Sequence, residues 1–130
     1  MKLTLHIISD MDFHAAGFLN DDQIVNHKWQ PDTVNKIITE CDIALLPKLK
    51  KGNFAFKSDN KKTQAWGLGM PVAEEPKDLE RFLDPDERRK EGLIRRKEVF
   101  EKYDVKLSIL DYKNIINEIN KKRTKSGILY

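Results

Sequence analysis

An α/β fold with a parallel sheet is the class that this sequence predicts. Up to Ala73, short β-rich segments alternate with helical ones, which is the pattern of a parallel sheet covered by helices. One of these segments, Ile43-Ala44-Leu45-Leu46, is apolar throughout, as strands buried on both faces are. Helical periodicity dominates from Lys77 onward. Together these observations predict a Rossmann-like domain with a short sheet of about four parallel strands and a helical C-terminal half.

Four segments are predicted as strands. Leu3 to Ser9 carries apolar side chains at positions 3, 5, 7 and 8 and predicts a buried strand almost at the start of the chain. Gln23 to Trp29 is a weaker second strand, Asp42 to Pro47 is the third, and Pro71 to Ala73 is a very short fourth.

Helices are predicted between these strands. Pro31 occupies a first helical position, and apolar residues follow it at helical spacing as far as Cys41. A second helix is predicted from Asn60 to Leu68, where Gly69 supplies a left-handed stop, and a short third helix is predicted after the last strand.

The C-terminal half is predicted to be helical. Asp84-Pro85-Asp86-Glu87 is a variant of the capping box and begins a long helix that ends near Tyr103. Residues 105–109 are interpreted as an extended segment, and Asp111 as the start of a last helix. The basic tail 121–130 is predicted to be frayed.

Length and composition favour one soluble domain over residues 1–130. The 24 Lys and Arg exceed the 21 Asp and Glu by only three, and this mild excess does not require a nucleic-acid partner. Cys41 is the only cysteine, which excludes an internal disulfide and fits a reducing compartment. No apolar run approaches the length of a membrane span. We therefore expect a cytoplasmic protein.

The most informative loop precedes the second helix. Ligands of parallel α/β sheets bind beyond the carboxyl ends of the strands, and the loop after the third strand brings two cations, a hydroxyl and an amide to a helix N-terminus. These groups belong to Lys57, Ser58, Asn60 and Lys61. A phosphate is the ligand that this pattern favours. The alternative is that Ser58 or Asn60 only caps the helix and that the lysines are solvated.

A longer, ordered phrase resembles a known family. Residues 41–47 form an aspartate-alanine strand that ends in proline, and residues 56–73 contain a Lys-Ser-Asp-Asn-Lys turn and end in Ala-Trp-Gly-Leu-Gly-Met-Pro-Val-Ala. This phrase is similar to the C-terminal, donor-binding domain of glycosyltransferases of the GT-B type. Residues 29–34 and 103–106 also resemble that domain.

The resemblance implies that a nucleotide-sugar lies in the cleft with its diphosphate on the N-terminus of the second helix. The implied contacts to the diphosphate and sugar are Lys57, Ser58, Asn60 and Lys61. Gln64 would face the ribose, and Trp29 and Gln30 would lie near the base. The donor would be a UDP-, GDP- or ADP-sugar.

Other parts of the family pattern are less well matched. Glu74 and Glu75 follow the fourth strand, where the family often places residues near the sugar, although ordinary loop carboxylates are the alternative. Many retaining members carry two glutamates where this chain has Phe56 and Gln64. The sequence therefore assigns no catalytic residue, and the design calls for no metal or other cofactor.

The function expected from this resemblance is that of the donor-binding half of a glycosyltransferase. Transfer needs donor and acceptor in one closed site, so the isolated chain is expected to need an N-terminal acceptor domain or a partner chain. A non-catalytic module that homodimerises or docks onto a partner is the alternative. Nucleic-acid binding is less favoured, because the basic stretch from Arg88 to Lys97 is interleaved with acids.

Overall fold

The computed structural model describes residues 3–14, 17, 19–47 and 58–125. Four strands lie within them, and each falls inside a segment predicted as a strand. They are β1 (Leu5–Ser9), β2 (Ile24–Lys28), β3 (Ala44–Leu45) and β4 (Val72–Ala73). A 3-10 turn, Asp21–Gln23, leads into β2.

The strands form two parallel pairs. β1 pairs with β2 from Leu5 opposite Ile24 to Ser9 opposite Lys28, and β3 pairs with β4 with Ala44 opposite Val72. The α/β class and the parallel direction are thus confirmed. The single four-stranded sheet is not, because the described residues form two separate two-stranded sheets. β3 and β4 have only two residues each, so they offer few backbone groups for a longer ladder.

Five α-helices accompany the strands in the described part of the chain. They are α1 (Val34–Thr39), α2 (Asn60–Gly67), α3 (Pro76–Arg81), α4 (Pro85–Lys102) and α5 (Val105–Lys125). The predicted cap of α4 is confirmed, because the Asp84 carboxylate accepts a hydrogen bond from the Asp86 backbone amide at 2.8 Å. The prediction that α1 begins at Pro31 is wrong. Residues 31–33 form a turn, and the Gln30 carbonyl accepts from the Thr33 and Val34 amides.

The prediction of an extended segment at residues 105–109 is also wrong, because α5 begins at Val105. Asp104 closes its first turn: its carboxylate accepts from the Lys106 amide at 2.9 Å, and its carbonyl accepts from the Leu107 amide. Asp111 therefore lies inside the helix. The helix also continues to Lys125, so residues 121–125 of the predicted frayed tail are helical. Residues 126–130 lie outside the described residues.

The core lies where α2 packs on the β3–β4 pair. Ala65, Met70 and Val72 are buried there, and partly buried Ile38 and Trp66 pack against them. Gly69, with φ of +79°, ends α2 as the sequence predicts. The Gly69 amide donates to the Trp66 carbonyl and the Met70 amide to the Ala65 carbonyl, which is the Schellman pattern. This stop turns the chain directly from α2 into β4.

A buried carboxylate connects α3 with α4. Glu91 is nine-tenths buried and accepts hydrogen bonds from Arg81 Nη2 at 3.0 Å and from Arg95 Nε at 2.7 Å. Arg81 also contacts Glu87, and Arg95 contacts Glu98, so the two guanidinium groups each join two carboxylates. Because Glu91 holds both arginines from a buried position, it is the centre of this network.

Replacing Glu91 with alanine is expected to lower the free energy of unfolding by about 2 kcal/mol, because two charge-assisted hydrogen bonds are lost. Denaturant titration measures this loss. Glu101→Ala is the matched control, since Glu101 is an exposed residue of the same helix paired with Lys97 at 3.7 Å. The control is expected to stay within about 0.5 kcal/mol of the unaltered chain. Equal effects of the two substitutions would contradict the central position of Glu91.

Candidate functional site

A cavity of about 620 Å³ lies between the two sheets. Its walls include residues 4–8 of the β1 segment, residues 40–46 leading into β3, and the first turns of α2. We expected a ligand site beyond the carboxyl ends of the strands. The cavity instead runs along β1 and β3, because these two strands face each other across a gap and do not pair.

Three of the residues singled out from the sequence line this cavity together. They are Trp29, Lys61 and Gln64. Trp29 follows β2 and is half exposed, and its amide donates to the Ser9 carbonyl, which fixes it beside the end of β1. Lys61 and Gln64 lie one turn apart on α2. The cavity therefore contains an aromatic ring, a cation and an amide from two separate parts of the chain.

Gln64 is held by a neighbouring helix. Its side-chain Nε2 donates to Asn35 Oδ1 of α1 at 2.7 Å. This contact links α1 to α2 and orients the Gln64 amide. Asn35 was not predicted as part of the site, since nothing in the local sequence shows which residue of α1 faces α2.

The other predicted phosphate contacts lie at the start of α2. Ser58 and Asn60 are exposed and are not part of the cavity wall. The N-cap residue is Asp59, so the alternative in which Ser58 or Asn60 caps the helix is not what the structure has. The Thr63 hydroxyl donates to the Asp59 and Asn60 carbonyls within this turn. Lys57 lies outside the described residues.

Lys61 and its neighbour Lys62 have different surroundings. Lys62 Nζ is 3.1 Å from Glu74 Oε2 and 4.9 Å from the centre of the Trp66 ring. Arg95 of α4 also lies over Trp66, at 4.8 Å. Lys62 is thus engaged in the packing of α2, whereas Lys61 lines the cavity. The sequence alone cannot make this distinction, because both lysines occupy the first turn of the helix.

The two glutamates after β4 lie in the turn that begins α3. Glu74 contacts Lys62, and Glu75 is the N-cap residue of α3 in a reciprocal capping box with Asp78. Neither lines the cavity. Gln30 is exposed beside Trp29 and also lies outside the cavity wall. The structure therefore brings together Trp29, Lys61 and Gln64, and it does not bring Gln30, Glu74 or Glu75 to the same wall.

Two histidines form a pair that the sequence analysis did not connect. His6 Nδ1 and His27 Nε2 are 3.0 Å apart on the neighbouring strands β1 and β2, and the rings are nearly parallel. His6 lines the cavity. The described residues hold no group of three or more His, Cys, Asp or Glu side chains that could bind a metal.

Cys41 forms part of the cavity wall and packs against the core. Its thiol donates to the Ile37 carbonyl at 3.3 Å. Burial raises the pKa of the Cys41 thiol, and the neighbouring Asp42 and Glu40 carboxylates raise it further. All three effects disfavour the thiolate, so Cys41 has the surroundings of an inert thiol.

Cys41 is expected to react with a thiol-specific disulfide reagent at neutral pH at least about tenfold more slowly in the folded chain than in denaturant. Because its pKa is raised, the rate should still be increasing with pH where an ordinary thiol is already fully ionised and its rate is constant. Absorbance of the released reagent measures both rates. A fast phase in the folded protein at neutral pH would contradict the buried environment.

Comparisons with known proteins give no relative. The chain matches no protein-family model, no curated protein and no solved structure. The resemblance of its motifs to the GT-B donor domain and the geometry of the cavity are therefore the basis for a functional proposal.

Proposed function

We propose that this chain is the nucleotide-sugar-binding half of a glycosyltransferase. The observation that carries the proposal is the convergence of Trp29, Lys61 and Gln64 on one cavity. The resemblance to the donor-binding domain implies contacts of these three residues with the base, the diphosphate and the ribose respectively. The cavity volume of about 620 Å³ is also in the ordinary range for small-molecule sites.

Each of the three side chains has a chemical role in this proposal. The Trp29 indole offers an aromatic face on which a base can stack. The Lys61 ammonium and the N-terminal amides of α2 favour the negative charge of a diphosphate. The Gln64 amide is held by Asn35, and its carbonyl oxygen can accept a hydrogen bond from a ribose hydroxyl.

The same arrangement supports the chemistry of glycosyl transfer. When the bond between the anomeric carbon and the diphosphate oxygen breaks, negative charge develops on the leaving nucleoside diphosphate. Lys61 and the N-terminus of α2 would stabilise that charge, as would Lys57 if it contacts the ligand. The acceptor must be held in the same closed site, so we assign acceptor binding to another domain or a partner chain.

Calorimetric titration of the purified chain with UDP, GDP, ADP and their sugar conjugates tests the proposal. One base series should bind measurably. Lys61→Ala should weaken that binding by about tenfold or more, because it removes a charge-assisted contact to the diphosphate. Lys36→Ala is the matched control, since Lys36 is an exposed lysine of α1 outside the cavity. The control should bind as tightly as the unaltered chain.

Two results would contradict a donor site in this cavity. Absence of binding for all three series at millimolar ligand would reject a donor site and favour the interaction module. Equal losses in Lys61→Ala and Lys36→Ala would show that binding depends on general charge and not on the cavity.

A further inference from the structure

Helix α5 makes no main packing contact with another helix or strand of the described part of the chain. Every residue from Val105 to Lys125 is exposed, and none of the main contacts between elements involves this helix. At 1.5 Å per residue, its 21 residues span about 31 Å. A helix of this length with so little packing against the described residues gains little stability from burial, and so its exposed apolar side chains need another explanation.

The exposed side chains of α5 form an apolar stripe. At 100° per residue the stripe covers an arc of about 120° between Val105 and Ile119, in which Ser108 is the one polar residue. Its members are 46% to 68% exposed: Val105, Ile109, Tyr112, Ile115, Ile116 and Ile119. The stripe is wider than the seam of a two-stranded coiled coil, which uses two positions in seven.

The same helix carries a net positive charge. α5 contains six Lys and Arg and two Asp and Glu, a net charge of +4. The whole chain has a net charge of +3, so the remainder has a net charge of −1. Lys113 and Lys122 border the apolar stripe on its two sides. A second copy of the chain would bring two helices of net charge +4 together, whereas an anionic surface would complement the charge of α5.

We propose that α5 binds the surface of a membrane that contains anionic phospholipids. The helix lies in the plane of the interface, with the apolar stripe at the level of the acyl boundary and the lysines among the headgroups. Among the described helices none has the length and apolar character that crossing a bilayer requires, so α5 lies on the membrane and does not span it. This proposal does not depend on nucleotide binding by the cavity.

Flotation of the full chain with phospholipid vesicles tests this proposal. Vesicles of phosphatidylcholine with one third phosphatidylglycerol should carry the protein, and pure phosphatidylcholine vesicles should carry much less. Lys113→Gln together with Lys122→Gln should weaken binding by more than about tenfold, since each basic residue near an anionic surface contributes about fivefold. Added salt should weaken binding of the unaltered chain in the same direction.

A matched pair of variants tests the apolar stripe. Ile116→Asp places a charge within the stripe and should weaken binding to the anionic vesicles by more than about tenfold. Leu93→Asp makes the same kind of change on the exposed face of α4, where Leu93 is 69% exposed, and should leave binding unchanged. Circular dichroism shows whether either variant loses helix, and the double lysine variant tests the proposal without a change in the stripe.

Three results would overturn the proposal. The first is equal binding to neutral and anionic vesicles, and the second is equal binding by Ile116→Asp and Leu93→Asp. The third is no vesicle binding together with a dimer in sedimentation that Ile116→Asp dissociates, which would assign the stripe to a second copy of the chain.

Discussion

Replacing Gly92 with alanine is expected to lower the free energy of unfolding by about 3 kcal/mol or more, or to prevent folding. Gly92 is buried in α4, and a Cβ atom added there would overlap the carbonyl oxygen of Gly69. That oxygen belongs to the backbone turn that ends α2, so it cannot move aside as the end of a flexible side chain can. The helices must separate or the turn must distort, and overpacking of this kind is among the larger effects of a single substitution.

Gly67→Ala provides the control for this experiment. A Cβ atom at Gly67 would lie 3.7 Å from Val99 Cγ1, which is an ordinary van der Waals contact between the same two helices. Because alanine also has the higher helix propensity, this variant should be neutral or more stable by up to about 1 kcal/mol. Urea titration of both variants measures the difference. Similar stabilities for the two would contradict the close approach of α2 and α4 at Gly92.

Phe82→Ala is expected to lower the free energy of unfolding by about 3 to 5 kcal/mol, as truncation of a buried aromatic side chain does. Phe82 follows α3 directly and is only 2% exposed, the lowest value among the core residues of the described chain. Its carbonyl accepts a hydrogen bond from Arg88 Nη1 at 2.8 Å, which ties the end of α3 to α4.

The adjacent Leu83 supplies the comparison for Phe82. Leu83 is 46% exposed, and Leu83→Ala should cost less than about 1 kcal/mol because nearly half of the residue already faces water. Thermal unfolding followed by circular dichroism distinguishes the two variants. If Phe82→Ala were as stable as Leu83→Ala, the ring would not be the buried anchor that the structure describes.

Local sequence chemistry predicts several parts of the fold correctly. Gly69 at the end of α2 and Asp84 before α4 act through residues within one turn, so their effects can be inferred from a short stretch of sequence. The start of α5 had an equally local signal, since Asp104 caps it, but the β-branched and aliphatic residues that follow favoured an extended segment.

The arrangement of the strands could not be inferred in the same way. The alternation of strands and helices along the chain predicts that the strands run parallel. It does not predict whether β1 and β3 pair, because pairing depends on contacts between distant segments. The gap between these strands is also what forms the cavity. The sequence therefore predicted residues of the candidate site but not the shape of the space that they line.

The candidate site was predictable in its residue types and less so in its geometry. Trp29, Lys61 and Gln64 line one cavity, whereas Gln30, Ser58, Asn60, Glu74 and Glu75 do not. The support that Asn35 gives to Gln64, and the engagement of Lys62 by Glu74, depend on side-chain directions across elements. Such directions follow from packing and have no counterpart in sequence spacing.

The most direct test of the proposed donor site is an amide NMR titration of the purified chain with the nucleoside diphosphate that binds best. The account predicts that chemical-shift changes concentrate on the amides of Lys61 to Gln64 and on the Trp29 indole N–H, and that Lys61→Ala reduces them. Changes confined to other surfaces, or no changes at millimolar nucleotide, would contradict a donor site in this cavity.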